Sequence, residues 1–354
     1  MKLKNVFQLA LLATVLLFTA PSCVKEGPMG PAGAAGTNGT NGTNGTDGTV
    51  SCLACHQGDS GKKMTQKKAE FYMSEHSLGA IAVSYAGGRI GCSQCHSSEG
   101  FIQYATLGVA NTAVNKPSAW ECSTCHGIHS TFQANDYALR LIAPVKSNVD
   151  AAYSFDFKNN SNLCVNCHQA RTPEPNKATP GIATFKITSI HYGPHHGPQG
   201  NVVAGVGFAE IAGSLAYPAP GSSKHFTPAC TGCHMATTTN NQGGHTLIPS
   251  LAACNTCHGV TEKDYNHGGK QTAILDKLNL LRDKLIALKV VSATPNAIDP
   301  KITDYYPIVG TFPMLQAQAV YNYFGLKEDR SEGVHNPVYV NALLTNTLEA
   351  LNKN

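Results

Sequence analysis

The sequence predicts a mainly α-helical fold with much irregular loop and little sheet. Large aromatic side chains are scarce, because the 354 residues include one tryptophan and 7% aromatics, so something else must fill the interior. A short cysteine motif recurs six times between residues 52 and 258. Beyond the last motif, leucines recur at helical spacing, with charges on the opposite face. Together these observations predict helices and loops wrapped around a non-protein core.

The recurring motif is Cys-x-x-Cys-His, and its six copies use twelve of the thirteen cysteines. Two thiols at this spacing can add to the two vinyl groups of one haem, and the adjoining histidine can reach the iron from the proximal side. Zinc sites and disulfide frameworks also use paired cysteines, but neither requires a histidine after every pair. The motifs therefore predict six covalent c-type haems. Their residues are Cys52, Cys55 and His56; Cys92, Cys95 and His96; Cys122, Cys125 and His126; Cys164, Cys167 and His168; Cys230, Cys233 and His234; and Cys254, Cys257 and His258.

The haem domain is predicted to span residues 50–354, with the six haems forming much of its core and long helices over residues 271–354. Thr272–Leu288 has leucines at helical spacing, and Asn341–Leu351 can form a second helix. Leucine stripes of this kind are most often core packing, so we assign them no other role.

The charge balance gives no sign of a nucleic-acid partner. Only 14% of the residues are charged and the formal net charge is +4, so the sequence carries no strong electrostatic footprint for nucleic acid. We therefore expect no nucleic-acid partner.

The first 22 residues have the pattern of an export signal. Two lysines precede an apolar run, and small residues follow it. Cys23 comes directly after Thr-Ala-Pro-Ser and is the one cysteine outside the motifs. This stretch resembles a bacterial lipoprotein box, which predicts a lipidated Cys23 at the mature N-terminus. The alternative is an ordinary cleaved signal with an incidental cysteine.

Residues 23–49 form a tether in which glycine recurs at every third position from Gly27 to Gly48. A strict Gly-X-Y period is typical of collagen, where only glycine fits at the axis of three chains. The alternative is a flexible hydrophilic spacer. In either case we expect the tether to hold the haem domain away from a membrane surface.

The histidine count predicts a protein ligand on both faces of each iron. Nine histidines remain beyond the six proximal ones, whereas methionine is scarce. Bis-histidine ligation gives lower reduction potentials than methionine–histidine ligation. The sequence leaves open which of His191, His195, His196 and His267 are ligands. The predicted distal set is His76, His129, His196, His225, His245 and His335.

The last five motifs, Cys92 to His258, resemble in order and spacing the pentahaem cytochrome c nitrite reductases and the wider hydroxylamine oxidoreductase-like superfamily. Five local strings in the same order resemble that family too. They are SEHSLGA around His76, ALRLIAP after His126, KHFTPACTGCHM around His225, GGHTLIP around His245 and GVHNPVY around His335. The first motif is an addition to the pentahaem plan.

The resemblance implies a set of axial pairs. It implies that His335 caps the haem of His234, that His245 caps the haem of His258 and that His76 caps the haem of His168. It also implies that His195 or His196 serves the haem of His126. His129 lies three residues after His126, so it is expected to cap a neighbouring haem instead, such as the first.

The chain departs from the nitrite reductases at their catalytic haem. The family holds that haem with a lysine, where this sequence has His96, and its catalytic tyrosine and arginine have no counterparts here. Of the family's substrate-binding trio, only the histidine is present, as His225. We therefore expect His225 to cap the haem of His96, which would close that iron to substrate. If one haem is open, the candidate catalytic residues are His225, Arg89 and Arg171.

The sequence thus predicts an exported, membrane-anchored hexahaem cytochrome that transfers electrons and is not itself an enzyme. The expected partners are a quinol-linked donor and another cytochrome, a terminal reductase or an extracellular acceptor. One alternative is a reductase or oxidase of nitrite, hydroxylamine or a sulfur oxyanion at one open haem. A further hypothesis is assembly, either as a homotrimer through the glycine triplets or as a conducting fibre.

Overall fold

Helices and irregular loops make up most of the part of the chain that the structure describes. The structure is a computed structural model, and it describes residues 63–129, 137–237, 243–259 and 263–353. These residues belong to one compact unit, Gly48–Asn354. The export signal, the tether with Cys23 and the motif Cys52–His56 lie outside the described residues.

Most of the helices are short, and three C-terminal ones are longer, with 16 to 18 residues each. No helix in the described ranges has the length and apolar character needed to cross a membrane. A short 3-10 turn, His267–Gly269, directly precedes the long helix that begins at Lys270. The helices are α1 Met64–Tyr72, α2 Glu75–Leu78, α3 Ala80–Ala86, α4 Ser93–His96, α5 Ser98–Leu107, α6 Cys122–Cys125, α7 Ser161–Val165, α8 Pro175–Ala178, α9 Gln199–Ala204, α10 Ala229–His234, α11 Leu251–His258, α12 Lys270–Ala287, α13 Met314–Asp329 and α14 Pro337–Lys353.

Sheet is confined to three antiparallel pairs in the described part of the chain. The pairs are β1 with β2, β3 with β6 and β4 with β5. The predicted fold class, mainly helical with irregular loops and little sheet, is confirmed. The strands are β1 Val145–Lys146, β2 Ser154–Phe155, β3 Thr184–Ile187, β4 Val291–Pro295, β5 Thr303–Pro307 and β6 Gly310–Pro313.

Helices α12, α13 and α14 build the larger apolar core. Leu281 and Leu285 of α12 are fully buried, whereas Leu275 is 38% exposed, so the predicted leucine stripe faces the core at its centre and not at its start. Helix α13 shows no stripe, because it is buried on several sides, among other residues at Val320, Tyr321 and Leu326. A helix surrounded by protein lacks the one-sided pattern that sequence reading detects.

Two buried asparagines tie the irregular segment 205–217 to the C-terminal helices. The Asn322 side chain on α13 accepts from the Ala209 N–H and donates to its carbonyl, both at 2.9 Å. Asn346 on α14 does the same for Leu215, at 3.0 and 2.8 Å. These side chains satisfy backbone groups that no strand pairs. They thereby fix the segment that leads to the motif Cys230–His234.

Gly100 is needed where α5 crosses α4 beside the motif Cys92–His96. A Cβ at this position would overlap the backbone carbonyl of Ser93, which cannot move aside as a flexible side chain can. We expect Gly100→Ala to lower the free energy of unfolding by about 1–3 kcal/mol through this overlap. The matched control is Thr106→Ala on the exposed face of α5, which should change stability by no more than about 0.5 kcal/mol. Equal melting temperatures for the two variants would contradict the expectation.

Candidate haem-binding site

The five described motifs each lie on, or directly after, one short helical segment. In a helix, residues three apart share a face, so the two thiols of a motif lie on the same side. His96, His234 and His258 are the last residues of α4, α10 and α11. None of the ten cysteines of these described motifs takes part in a disulfide, so the motif pairs are not consumed by a disulfide framework.

The residues between the motif cysteines connect one motif to the next. Gln94 donates through Nε2 to the carbonyl oxygen of Asn166 at 3.3 Å, which joins the motifs Cys92–His96 and Cys164–His168. Ser161, at the start of α7, accepts from the N–H of Thr231 at 3.0 Å. This bond fixes the motif Cys230–His234 against the one that precedes it.

Thiols from successive motifs lie side by side. Hydrogen bonding between Cys95 and Cys167 raises the pKa of Cys167 and lowers that of Cys95. The same relation holds between Cys164 and Cys230, whose hydrogen bond raises the pKa of Cys164. Burial raises the pKa of Cys233, and the nearby Cys254 raises it further. The motifs thus form a spatial series from Cys92–His96 through Cys164–His168 and Cys230–His234 to Cys254–His258.

Each of the five described motif histidines faces a second imidazole from another part of the chain. A metal held between two facing imidazoles, with bonds of about 2 Å to each nitrogen, sets the ring centres about 6 Å apart. The observed distances between ring centres are 5.9, 6.1, 6.3, 6.3 and 6.4 Å, as axial ligation of one iron requires. In the same order, the pairs are His76–His168, His96–His195, His225–His258, His234–His335 and His126–His245.

Hydrogen bonds at Nδ1 leave Nε2 of several rings available for a metal. Nδ1 of His234 lies 2.8 Å from the carbonyl oxygen of Leu247, and Nδ1 of His168 lies 3.1 Å from Oε1 of Gln199. Because these oxygens only accept, Nδ1 carries the proton and Nε2 keeps the lone pair. The other such contacts are His126 with the carbonyl of Tyr137, His225 with the carbonyl of Val334 and His335 with the carboxylate of Asp329.

Burial keeps many of these rings neutral at physiological pH. Desolvation lowers the pKa of His76 and of His195 to about 4 each. Neutral imidazole is the form that binds a metal, so a site of this kind needs no proton release from these rings. Burial lowers the pKa in the same direction for His96, His168, His234 and His245.

The structure separates His195 from His196 and corrects the choice made from sequence. His195 faces His96, at 6.1 Å between ring centres. The His196 side chain is 67% exposed and lies 3.0 Å from Glu328, whose hydrogen bond raises the pKa of His196. An exposed ring held at the surface by Glu328 is a poorer candidate ligand than His195, whose Nε2 is buried. The better candidate for a distal ligand is therefore His195, and it faces His96 instead of His126.

Two other predicted pairings are also corrected. His225, expected at His96, faces His258. His245, expected at His258, faces His126, with 6.4 Å between the ring centres. Backbone contacts place these rings, and local sequence does not encode such contacts. The pairs His76–His168 and His234–His335 lie together as the resemblance implies, and their binding of iron stays a prediction.

The remaining candidates are dispersed over the surface. His129 is exposed, and its backbone is left-handed, with φ 55°. Its expected partner, the motif Cys52–His56, lies outside the described residues. His191 is exposed. Arg89 stacks over the Tyr85 ring at 4.2 Å. Arg171 donates to the carbonyl oxygen of Gly91 at 3.2 Å and lies close enough to His96 to lower its pKa.

Three supporting side chains were not predicted from the sequence, because they belong to no recognisable motif. Glu70 on α1 is buried and accepts from the N–H of Gly243 at 2.7 Å, which holds the loop that carries His245. Gln199 orients His168, and Asp329 orients His335. Glu70 and Gly243 lie 173 residues apart and Gln199 and His168 lie 31 apart, so short motifs do not reveal these contacts. For Glu70 and Asp329 the available signal is that buried charge is scarce in a helical core.

The residues present fit covalent haem. Nε2 of His195 is buried and finds no hydrogen-bond partner among the described residues, as expected for an atom that binds a metal. A cavity of about 350 Å³ lies beside the crossing of the motifs Cys92–His96 and Cys164–His168, lined by Gln94, Tyr104 and Asn166 among others. Adjacent thiol pairs and facing imidazoles thus lie where thioether bonds and axial bonds are needed.

Comparison with known proteins supports this fold. No protein-family profile matches the sequence, and no curated protein matches it. Among solved structures, the chain is similar to the outer cell wall cytochrome OcwA, with a TM-score of 0.51 and 19% sequence identity. The match covers 80% of this chain and 50% of that one, so this chain matches about half the length of that cytochrome. The similarity shows a shared fold, mainly helical with irregular loops and small sheets.

Proposed function

We propose that this chain is an exported c-type cytochrome that holds six covalent haems and transfers electrons between redox partners. The observation that carries the proposal is the set of five motif histidines that each face a second imidazole at the spacing of axial ligands. The likeness in fold to a cytochrome supports the same class of protein.

Covalent haem supplies one-electron redox chemistry, and the chain sets where that chemistry takes place. The adjacent thiols of successive motifs hold the attachment edges close together along the series from Cys92–His96 to Cys254–His258. The motif Cys122–His126 joins this series at the side, because Cys125 lies near Cys164. Helix α11 carries the last motif of the series, Cys254–His258. None of its residues is buried, so this motif lies at the protein surface.

The geometry does not favour the alternative of a nitrogen or sulfur oxyanion enzyme. A substrate-binding haem needs an open axial position with proton donors around it. In the described motifs each proximal histidine already faces another imidazole, including His96, at the position where the nitrite reductases that the sequence resembles bind substrate. Of the three candidate catalytic residues only Arg171 lies near His96, because His225 lies at His258 and Arg89 stacks on Tyr85.

The N-terminal expectations are part of the same proposal. Export, lipidation at Cys23 and the glycine-triplet tether would place the haem domain at a membrane or cell surface, and the printed name of the similar outer cell wall cytochrome suggests a surface location. Its partners would be redox proteins, such as a quinol-linked donor and another cytochrome or terminal reductase. A homotrimer or fibre formed through the triplets is a further expectation.

The test is to produce the protein in a host that attaches c-type haem and to count covalent haems per chain with the pyridine haemochrome assay. We expect six haems, all low spin and ferric in the electron paramagnetic resonance spectrum of the oxidised protein. The double variant Cys164→Ser and Cys167→Ser should hold five. Cys23→Ser is the control and should keep six. A wild-type chain without covalent haem would end the proposal, and a high-spin ferric signal would restore the enzyme alternative.

A further inference from the structure

His335 differs from the other paired imidazoles in the oxygen that its Nδ1 meets. It follows α13 in the chain, and its ring faces that of His234 at 6.3 Å. Nδ1 of His335 lies 2.6 Å from Oδ1 of Asp329, the last residue of α13. The Asp329 side chain is 1% exposed, and the His335 side chain is 20% exposed. The contact is therefore a buried hydrogen bond to a carboxylate.

The other Nδ1 contacts of paired imidazoles that the structure gives are all to neutral oxygens. His126, His225 and His234 meet backbone carbonyls, and His168 meets the side-chain amide of Gln199. A carboxylate draws the Nδ1 proton more strongly than a neutral oxygen does, and it makes the ring a more basic ligand. A more basic axial ligand stabilises ferric over ferrous iron.

Ser331 reduces the effect of the Asp329 carboxylate on His335. Its hydroxyl donates to Oδ2 of Asp329, and its oxygen accepts from the backbone N–H of His335 at 3.3 Å. Three residues thus form a closed ring of hydrogen bonds at the end of α13. The hydroxyl withdraws some of the charge that the carboxylate offers to His335.

We propose, building on haem binding at Cys230–His234, that Asp329 is a positioning residue which lowers the reduction potential of that haem through His335, and that Ser331 limits the effect. The haem of His234 then has a lower potential than it would have with a neutral oxygen at Nδ1 of His335. It lies inside the series of motifs, between those of His168 and His258.

The experiment is a potentiometric titration of the six-haem protein, followed in its visible absorption bands. Asp329→Asn leaves an oxygen that accepts a hydrogen bond but carries no charge. In this variant one component of the titration should shift to a higher reduction potential. The expected shift is about tenfold in the reduction equilibrium constant, which is about 59 mV for a one-electron couple. In Ser331→Ala the same component should shift downward, by less. The control is Asp283→Asn, which removes an exposed carboxylate that is paired with Arg282, and its titration should match that of the wild type.

The opposite signs separate tuning from a purely structural role, because loosening the ring of hydrogen bonds would move both variants in one direction. Shifts of the same sign, or no shift in either variant, would overturn the inference. If Asp329→Asn does not load six haems, Ser331→Ala alone tests the inference. A potential for the haem of His234 that is unchanged or higher in Ser331→Ala would then overturn it. A wild-type chain that binds no haem would instead contradict the proposed function, so the two failures are distinguishable.

Discussion

Replacing His195 by alanine should convert one of the ferric haems from low spin to high spin, whereas replacing its neighbour His196 should leave every haem low spin. The two residues are adjacent in sequence, but their environments differ. The His195 ring is held neutral by burial and faces His96. His196 is mainly exposed and is bound to Glu328.

The physical reason is the loss of one axial nitrogen. Without the His195 imidazole, the distal side of the iron attached at His96 has only water or no ligand, and a weaker ligand field favours the high-spin state. The measurement is electron paramagnetic resonance of the oxidised variants, integrated against the covalent haem count. Free imidazole added to His195→Ala should restore the low-spin signal, because it supplies the lost imidazole ligand without being part of the chain.

Two results would contradict this assignment. A high-spin signal in His196→Ala would mean that the exposed histidine is the ligand. A high-spin signal at the same haem in the unmodified protein would mean that His195 does not bind iron at all. The second result would also give the chain an open haem, which is what a substrate-binding site requires.

Replacing His225 by alanine should have a comparable effect on a different haem, the one attached at Cys254–His258. Two imidazoles lie near His258, with ring centres at 6.3 Å for His225 and 4.1 Å for His267. The first distance has room for an iron between the rings, and the second is that of rings in direct contact. Nδ1 of His225 also meets the carbonyl oxygen of Val334, which leaves Nε2 for the metal.

The same spectrum tests this second assignment. We expect a high-spin component in His225→Ala and none in His267→Ala. The exposed His191 serves as the matched control, and its replacement by alanine should leave the spectrum unchanged. If His267→Ala gives the high-spin component and His225→Ala does not, the ligand is His267. If both variants stay low spin, neither imidazole is a required ligand.

The motifs and the fold class were accessible from sequence because covalent chemistry fixes the spacing of Cys-x-x-Cys-His along the chain. The axial pairs were only partly accessible. His76 and His335 lie beside the expected partners, whereas His225 and His245 do not. Ring pairing depends on how loops far apart in sequence pack together, and spacing along the chain does not encode it. Asp329 was not predicted for a different reason, because a lone aspartate at a helix end is usually solvated.

The C-terminal end of α13 gathers supports for histidines of three different segments. Glu328 binds His196, Asp329 binds His335, and the carbonyl of Glu328 accepts from Gln199, which orients His168. A shift of this helix end along its axis would therefore disturb the surroundings of His168, His196 and His335 together, although these histidines lie in three separate segments of the chain.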